Sequence, residues 1–142
     1  MKPVGQLLKN RPNSLRMVGP ADSVYHALQL LAQHEVGALV VMDGERMVGI
    51  VSERDYTRKV ALQGRSSKET QVQEIMTPNV FCVSPSTGTR ECMALMREKR
   101  FRHLPVTEGG KVLGMISIRD LMDDIIADHE MTIAQLETYI HS

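Results

Sequence analysis

Apolar positions along the chain change period in the same order twice. Val24, Ala27, Leu28, Leu31 and Ala32 follow the i, i+3, i+4, i+7, i+8 spacing of a helix with one buried face. Two apolar runs come next, Ala38 to Met42 and Met47 to Val51, on either side of Asp43-Gly44. Apolar runs around such a dipeptide predict a hairpin, because Gly takes up the positive φ of the turn at little cost. Ser52-Glu53-Arg54-Asp55 then opens a second helix. Downstream, Cys92, Met93 and Met96 mark a helical face. Leu104 to Val106 and Val112 to Ile116 flank Glu108-Gly109-Gly110, and Ser117-Ile118-Arg119-Asp120 opens another helix. A short strand is expected before each unit, over 14–18 and 79–83, closed by Pro20 and Pro85. Asp22 and Thr87 are the expected N-caps of the first helices.

Sliding the chain 65 positions along itself lays residues 18–56 over 83–121 without a gap, with ten identities. Four are apolar, and the other six fall at punctuation (Pro20 and Pro85, Gly44 and Gly109, Gly49 and Gly114) and in one polar cluster. That cluster is Ser52, Arg54 and Asp55 in the first copy and Ser117, Arg119 and Asp120 in the second. The chain is therefore α/β, two copies of strand-helix-strand-strand-helix. The expected divisions are 1–62 for the first repeat, 63–74 for a polar linker, 75–128 for the second repeat and 129–142 for a C-terminal helix.

The repeated cluster carries the chemistry. A Gly inside a strand marks close approach by a ligand or another backbone. A helix start suits a phosphate, with free N–H groups and partial positive charge. A Ser hydroxyl adds a donor, and an ionised carboxylate suits the two hydroxyls of a ribose. The competing reading is local: Ser is an N-cap and Asp a favourable first-turn charge.

These motifs, in order, resemble a tandem pair of CBS domains, a Bateman module, of the stand-alone bacterial type. The resemblance rests on Val18-Gly-Pro20, Gly37-Ala-Leu-Val-Val41, Gly49 to Asp55, Ile75-Met-Thr-Pro78, Arg102-His-Leu-Pro-Val106 and Gly114 to Asp120. It implies two repeats packed through their sheets, with two clefts related by pseudo-twofold symmetry. The implied ligands are adenosine compounds: AMP, ADP, ATP, NAD or S-adenosylmethionine. It also implies that modules pair into homodimers. Carried onto this chain, the first cleft takes Ser14, Leu15, Val36, Gly37, Ala38, Leu39, Ser52, Arg54 and Asp55. The second takes Asn79, Val80, Phe101, Arg102, His103, Leu104, Pro105, Ser117, Arg119 and Asp120. Asp55 and Asp120 match the ribose carboxylate, and Arg102 and His103 match a phosphate-binding place. Copy two has Arg100, Arg102 and His103 where copy one has Glu35, Gly37 and Ala38. The second cleft is thus expected to prefer a phosphate tail, and the first to be roomier and less basic.

Composition narrows the partners. The 142 residues carry 17 basic and 17 acidic side chains, which disfavours a protein that wraps nucleic acid. A local run of Arg97, Lys99, Arg100 and Arg102 keeps RNA binding as an alternative, beside an interaction protein with vestigial clefts. With no Trp and ten Met, the core is expected to be aliphatic and adaptable. Two cysteines are too few for a disulfide framework and predict reduced thiols in the cytoplasm, with Cys92 in the core. No run approaches a membrane span or a secretory signal. The five His show no metal spacing, and no nucleophile–base–orienter set is visible, so neither a metal site nor an enzyme is expected. His26 and His34 are expected at the surface. Beyond the repeats, Met122, Ile126, His129, Ile133, Leu136 and Ile140 recur at 4-3-4-3-4 spacing. Such a seam is either a helix laid on its own domain or a dimer contact. Any signal would pass to an unnamed protein effector.

Overall fold

The computed structural model describes residues 2–10 and 15–141. Helix α1 (Val4–Lys9) comes first, then strand β1 (Met17–Val18), helix α2 (Val24–His34) and the hairpin β2 (Ala38–Asp43) and β3 (Arg46–Ser52). A short helix α3 (Glu53–Tyr56) runs into a π-helical turn, Thr57–Ala61, and a 3₁₀ turn, Val72–Glu74, follows. The second unit holds α4 (Thr89–Lys99), β4 (His103–Glu108), β5 (Lys111–Ser117) and α5 (Ile118–His141). The repeat is exact to the residue where it matters. Adding 65 to the bounds of α2, β2 and β3 gives those of α4, β4 and β5. The hairpin irregularity between Val41 and Met42 recurs between Val106 and Thr107. Both helices also end on a left-handed residue, Glu35 at φ 54° and Arg100 at φ 59°.

Each repeat's core is closed by a segment from outside it. Val72 of the linker and Ile75, at the start of the second repeat, are fully buried with Val18, Leu31, Leu39 and Val51 of the first repeat. The N-terminal Val4 is fully buried with Val83, Cys92, Leu104 and Ile116 of the second. The backbone repeats the arrangement. Val72 N–H donates to Asp22 O at 2.8 Å and Val24 N–H to Thr70 O at 2.8 Å. Val4 N–H donates to Thr87 O at 2.7 Å and Thr89 N–H to Lys2 O at 3.0 Å. Helix α1, grouped by its sequence position with the first repeat, thus packs into the core of the second.

These contacts move the expected caps by one residue. The Asp22 carboxylate accepts from Gly19 N–H at 2.8 Å, and the Thr87 hydroxyl from Ser84 N–H at 3.2 Å. Both side chains fasten the preceding turn. Ser23 caps α2, accepting from His26 N–H at 3.0 Å, and Gly88 stands at the cap of α4. On α2, Val24, Ala27 and Leu31 are buried as expected, whereas Ala32 is exposed.

The first strands differ between copies. In copy one Val40 N–H donates to Arg16 O at 2.9 Å, and β1 pairs in parallel with β2. The strand expected over 79–83 is absent. Only Val83 bridges to β4, through Val83 N–H to Pro105 O at 3.0 Å and Thr107 N–H to Val83 O at 2.9 Å. Pro105 stands where Val40 stands in copy one and has no N–H to donate. Upstream, Asn79 has φ 55°, a left-handed conformation that Asn tolerates but a strand does not contain.

Candidate functional site

Two clefts lie between the repeats, and each draws its walls from both. The smaller, about 510 Å³, is lined by Ser52, Arg54 and Asp55 from the start of α3. Facing them are Asn79, Val80 and Phe81, with Arg100, Phe101, Arg102 and His103 before and at the start of β4. The larger, about 820 Å³, is lined by Ser117, Arg119 and Asp120 from the start of α5. Facing them are Arg16 and residues 34–38, with Arg102 and His103 again.

The sequence-derived residues are thus brought together, but in crossed sets. Ser52, Arg54 and Asp55 were expected with Val36 to Leu39; of these only Gly37 lines their cleft, and Asn79, Val80 and Phe101 complete it. Ser117, Arg119 and Asp120 face Val36, Gly37 and Ala38. The cause is the backbone at Gly49 and Ile50. Ile50 and Thr77 exchange N–H···O bonds at 3.0 and 2.8 Å, which lays the entry to the second repeat along β3, and Thr77 lines the same cleft as Asp55. A Cβ at Gly49 would come within 2.8 Å of Thr77 O. Close approach by another backbone therefore explains this glycine. Leu39 and Leu104 are fully buried core residues and Pro105 is buried in β4, so none of the three lines a cleft. Leu15 lines neither, and Ser14 lies outside the described residues.

The expected contrast between clefts is redistributed by the same crossing. The roomier cleft is the one with Asp120. Arg100 faces Asp55, and Arg102 and His103 border both. Phe81 and Phe101, the only phenylalanines in the chain, both line the smaller cleft. Lys99 Nζ sits 4.9 Å from the centre of the Phe81 ring. Phe81 was missed in the sequence, although Pro105 signalled that the strand holding it was incomplete. His34, expected at the surface, is half-buried beside the larger cleft.

At both helix starts, Ser and Asp bind each other. Asp55 Oδ2 accepts from Ser52 N–H at 2.9 Å and from its hydroxyl at 3.0 Å, and Asp55 N–H donates to Ser52 Oγ at 3.2 Å. Ser117 N–H donates to Asp120 Oδ2 at 2.8 Å, and Asp120 N–H to Ser117 Oγ at 3.1 Å. These reciprocal bonds are capping boxes in geometry, with Asp in the place more often held by Glu. They hold each carboxylate in one orientation at a cleft wall. Lys59 Nζ stands 3.3 Å from Asp55 Oδ1 and donates to Ile75 O at 2.8 Å. The equivalent position in copy two holds Asp124, whose Oδ1 accepts from Lys2 Nζ at 2.9 Å. The first repeat's carboxylate thus has a lysine of its own helix beside it, and the matching position of the second repeat holds an acid.

His103, paired across the hairpin with Ser117, is the most enclosed titratable group shared by the clefts. Burial holds its pKa below the ordinary 6.5; the Asp120 charge works against this and Arg102 with it. The imidazole is therefore neutral at pH 7, able to donate from one nitrogen and accept at the other. Cys92 is fully buried, and burial with the nearby Glu91 charge pushes its thiol up to about 11, so it behaves as a small core residue. Among the described residues, no group of three His, Cys, Asp or Glu could hold a metal ion, and no helix is long and apolar enough to cross a membrane.

Comparison with known proteins places this geometry in context. The CBS domain profile matches residues 9–62 and again 72–127. A solved CBS-domain protein from Burkholderia ambifaria is 55% identical, with a TM-score of 0.84 over 88% of this chain and 94% of its own. One from Agrobacterium tumefaciens is 38% identical, with a TM-score of 0.80 over 85% of this chain and 97% of its own. The mitochondrial CBS domain-containing protein CBSX3 of Arabidopsis thaliana is 41% identical over 124 residues, 84% of this chain and 60% of that protein.

Proposed function

The chain belongs to the CBS domain family as a tandem pair, and from that premise we propose that it is a regulatory module that binds an adenine nucleotide between its repeats. CBS pairs are in general regulatory modules for adenosine ligands; which ligand is taken here, and where, is our reading. The observation that carries it is the smaller cleft. An oriented carboxylate, Asp55, faces Arg100, Arg102 and two aromatic rings across about 510 Å³. The carboxylate suits a ribose diol, the guanidiniums suit phosphate oxygens, and the rings suit a purine face. AMP, ADP or ATP fits that set best, with NAD or S-adenosylmethionine as candidates for the larger, less aromatic cleft beside Asp120. The module acts by binding rather than catalysis. Occupancy shifts the relative pose of the repeats, or of two paired modules, toward the state that binds nucleotide better, and a protein effector reads that shift. We place it in a reducing compartment such as the cytoplasm, on its two free cysteines.

The test is calorimetric titration of AMP, ADP, ATP, NAD and S-adenosylmethionine into the wild-type chain, Asp55→Ala and Asp120→Ala. The expected result is a nucleotide site lost in Asp55→Ala and kept in Asp120→Ala. Equal loss in both variants would refute the assignment. One observation favours a second reading, an interaction protein with vestigial clefts: both Ser–Asp pairs are already engaged in capping their own helices. Absence of binding by all five compounds would establish that reading instead.

A further inference from the structure

Helix α5 outruns the module it starts in. The family match stops at residue 127, while the helix continues to His141 without a break. Its first turns are docked: Leu121 and Asp124 are buried and Ile125 and Asp128 half-buried against the rest of the chain. From His129 to Ile140 every residue is exposed, including Ile133 at 55%, Leu136 at 57% and Ile140 at 74%. Met122 and Ile126, about half exposed, extend the same apolar line back over the docked part, away from Leu121 and Asp124.

The line is a heptad seam. With Ile126 at position a, the a positions read Ile126, Ile133 and Ile140, and the d positions Met122, His129 and Leu136. β-Branched residues at a with an unbranched or γ-branched residue at d favour two strands in parallel. The flanking positions point the same way. Every e position is acidic, Asp123, Glu130 and Glu137, and every g position is uncharged, Ile125, Thr132 and Tyr139. In a parallel pair e faces g, so no like charges meet. In an antiparallel pair e faces e, and carboxylate would face carboxylate along the whole contact. The polar d residue selects the partner. A buried imidazole against an apolar seam leaves its nitrogens unpaired, which costs free energy. Against the same imidazole of an identical helix, one ring donates and the other accepts.

From these three features we propose that the projecting part of α5 is a docking surface for a second copy of this chain, forming a parallel two-stranded coiled coil with His129 opposite His129. The contact spans roughly 30 Å, from Met122 to Ile140 at about 1.5 Å per residue. It places the two modules at the same end of the coiled coil. The contact does not depend on which nucleotide the clefts take.

The test is disulfide trapping in the full chain, with wild type as the control for Cys82 and Cys92. Leu136→Cys is expected to give a cross-linked dimer on mild oxidation, because equivalent d residues face each other in a parallel pair. Adding Ile133→Asp is expected to lower the yield about tenfold or more, equivalent to about 1.4 kcal/mol or more. Adding Met131→Asp, at an equally exposed position off the seam, is expected to leave it unchanged. These positions are exposed on a projecting helix, so the module stays folded, as circular dichroism would verify. No cross-link in Leu136→Cys overturns the proposal, as does a cross-link indifferent to Ile133→Asp. A cross-link seen only when Leu136→Cys is mixed with Ile126→Cys, the a position that faces this d position in an antiparallel pair, overturns it too.

Discussion

His103 is held neutral by burial between two clefts, and that has a consequence for stability. Its folded pKa lies below the ordinary 6.5, so as pH falls the unfolded chain takes up the proton first. The stability that comes with a neutral, buried imidazole is fully present above 6.5 and is lost as pH falls toward the folded value. Replacing the ring by an uncharged amide of similar reach removes this linkage. The groups around it, Asp120, Arg102, Asp55 and Arg100, stay in place. Melting temperature followed from about pH 7 down to about pH 5 is therefore expected to fall more steeply in the wild type than in His103→Gln. Parallel curves would mean that His103 titrates alike in both states. The same residue is the one side chain, with Arg102, that nucleotides in either cleft would touch. On the proposed function, ligands in the two clefts would share this wall.

Among the elements, those read correctly from the sequence are the ones whose signals are local. Helices α2 and α4 follow from apolar spacing, the two hairpins from Gly at the turns, and the starts of α3 and α5 from Ser and Asp three apart. Residues whose placement depends on distant segments were read less well. Asp22 and Ser23 are both competent caps, and the choice fell to a turn at Gly19 and a linker carbonyl at Thr70. The grouping of residues into clefts held for Arg102 and His103 beside Asp120 and for Gly37 beside Asp55, and crossed over elsewhere because it assumed that each repeat builds its own. Which repeat's strand starts face Asp55 is set by the backbone pairing of Ile50 with Thr77, a contact between repeats that no local pattern encodes. The missing strand over 79–83 was legible in principle. Pro105 removes the donor that Val40 uses, and Phe81 is thereby free to line the smaller cleft. Pro105→Val restores the donor. Its amide is expected to become protected from hydrogen exchange as the strand re-forms, and nucleotide affinity of the Asp55 cleft to fall as Phe81 is drawn back. A rapidly exchanging amide at position 105 would show that the strand is excluded for another reason, such as the left-handed Asn79.

For the molecule as a whole, the crossed completion of the cores matters more than the repeat itself. Val4, before the strands of the first repeat, fills the second core, while Ile75, just past the linker, fills the first. Neither repeat closes its core with the residues that lie between its own strands. Unfolding of one must then expose apolar surface in the segment that leads to the other, and the two are expected to melt as one cooperative unit. Ile75→Ala should lower stability by about 2–5 kcal/mol, the usual range for emptying such a site. Val4→Ala, with fewer atoms removed, should cost roughly 1–3 kcal/mol. The informative quantity is where each loss is felt. Hydrogen exchange in β2 and β3 and in β4 and β5 is expected to shift together in both variants, although the two mutations lie in different cores. If Val4→Ala loosened β4 and β5 while β2 and β3 kept their wild-type protection, the repeats would be separate folding units. A nucleotide between them would then have to create their coupling, whereas a cooperative pair has only to bias one that folding has already built.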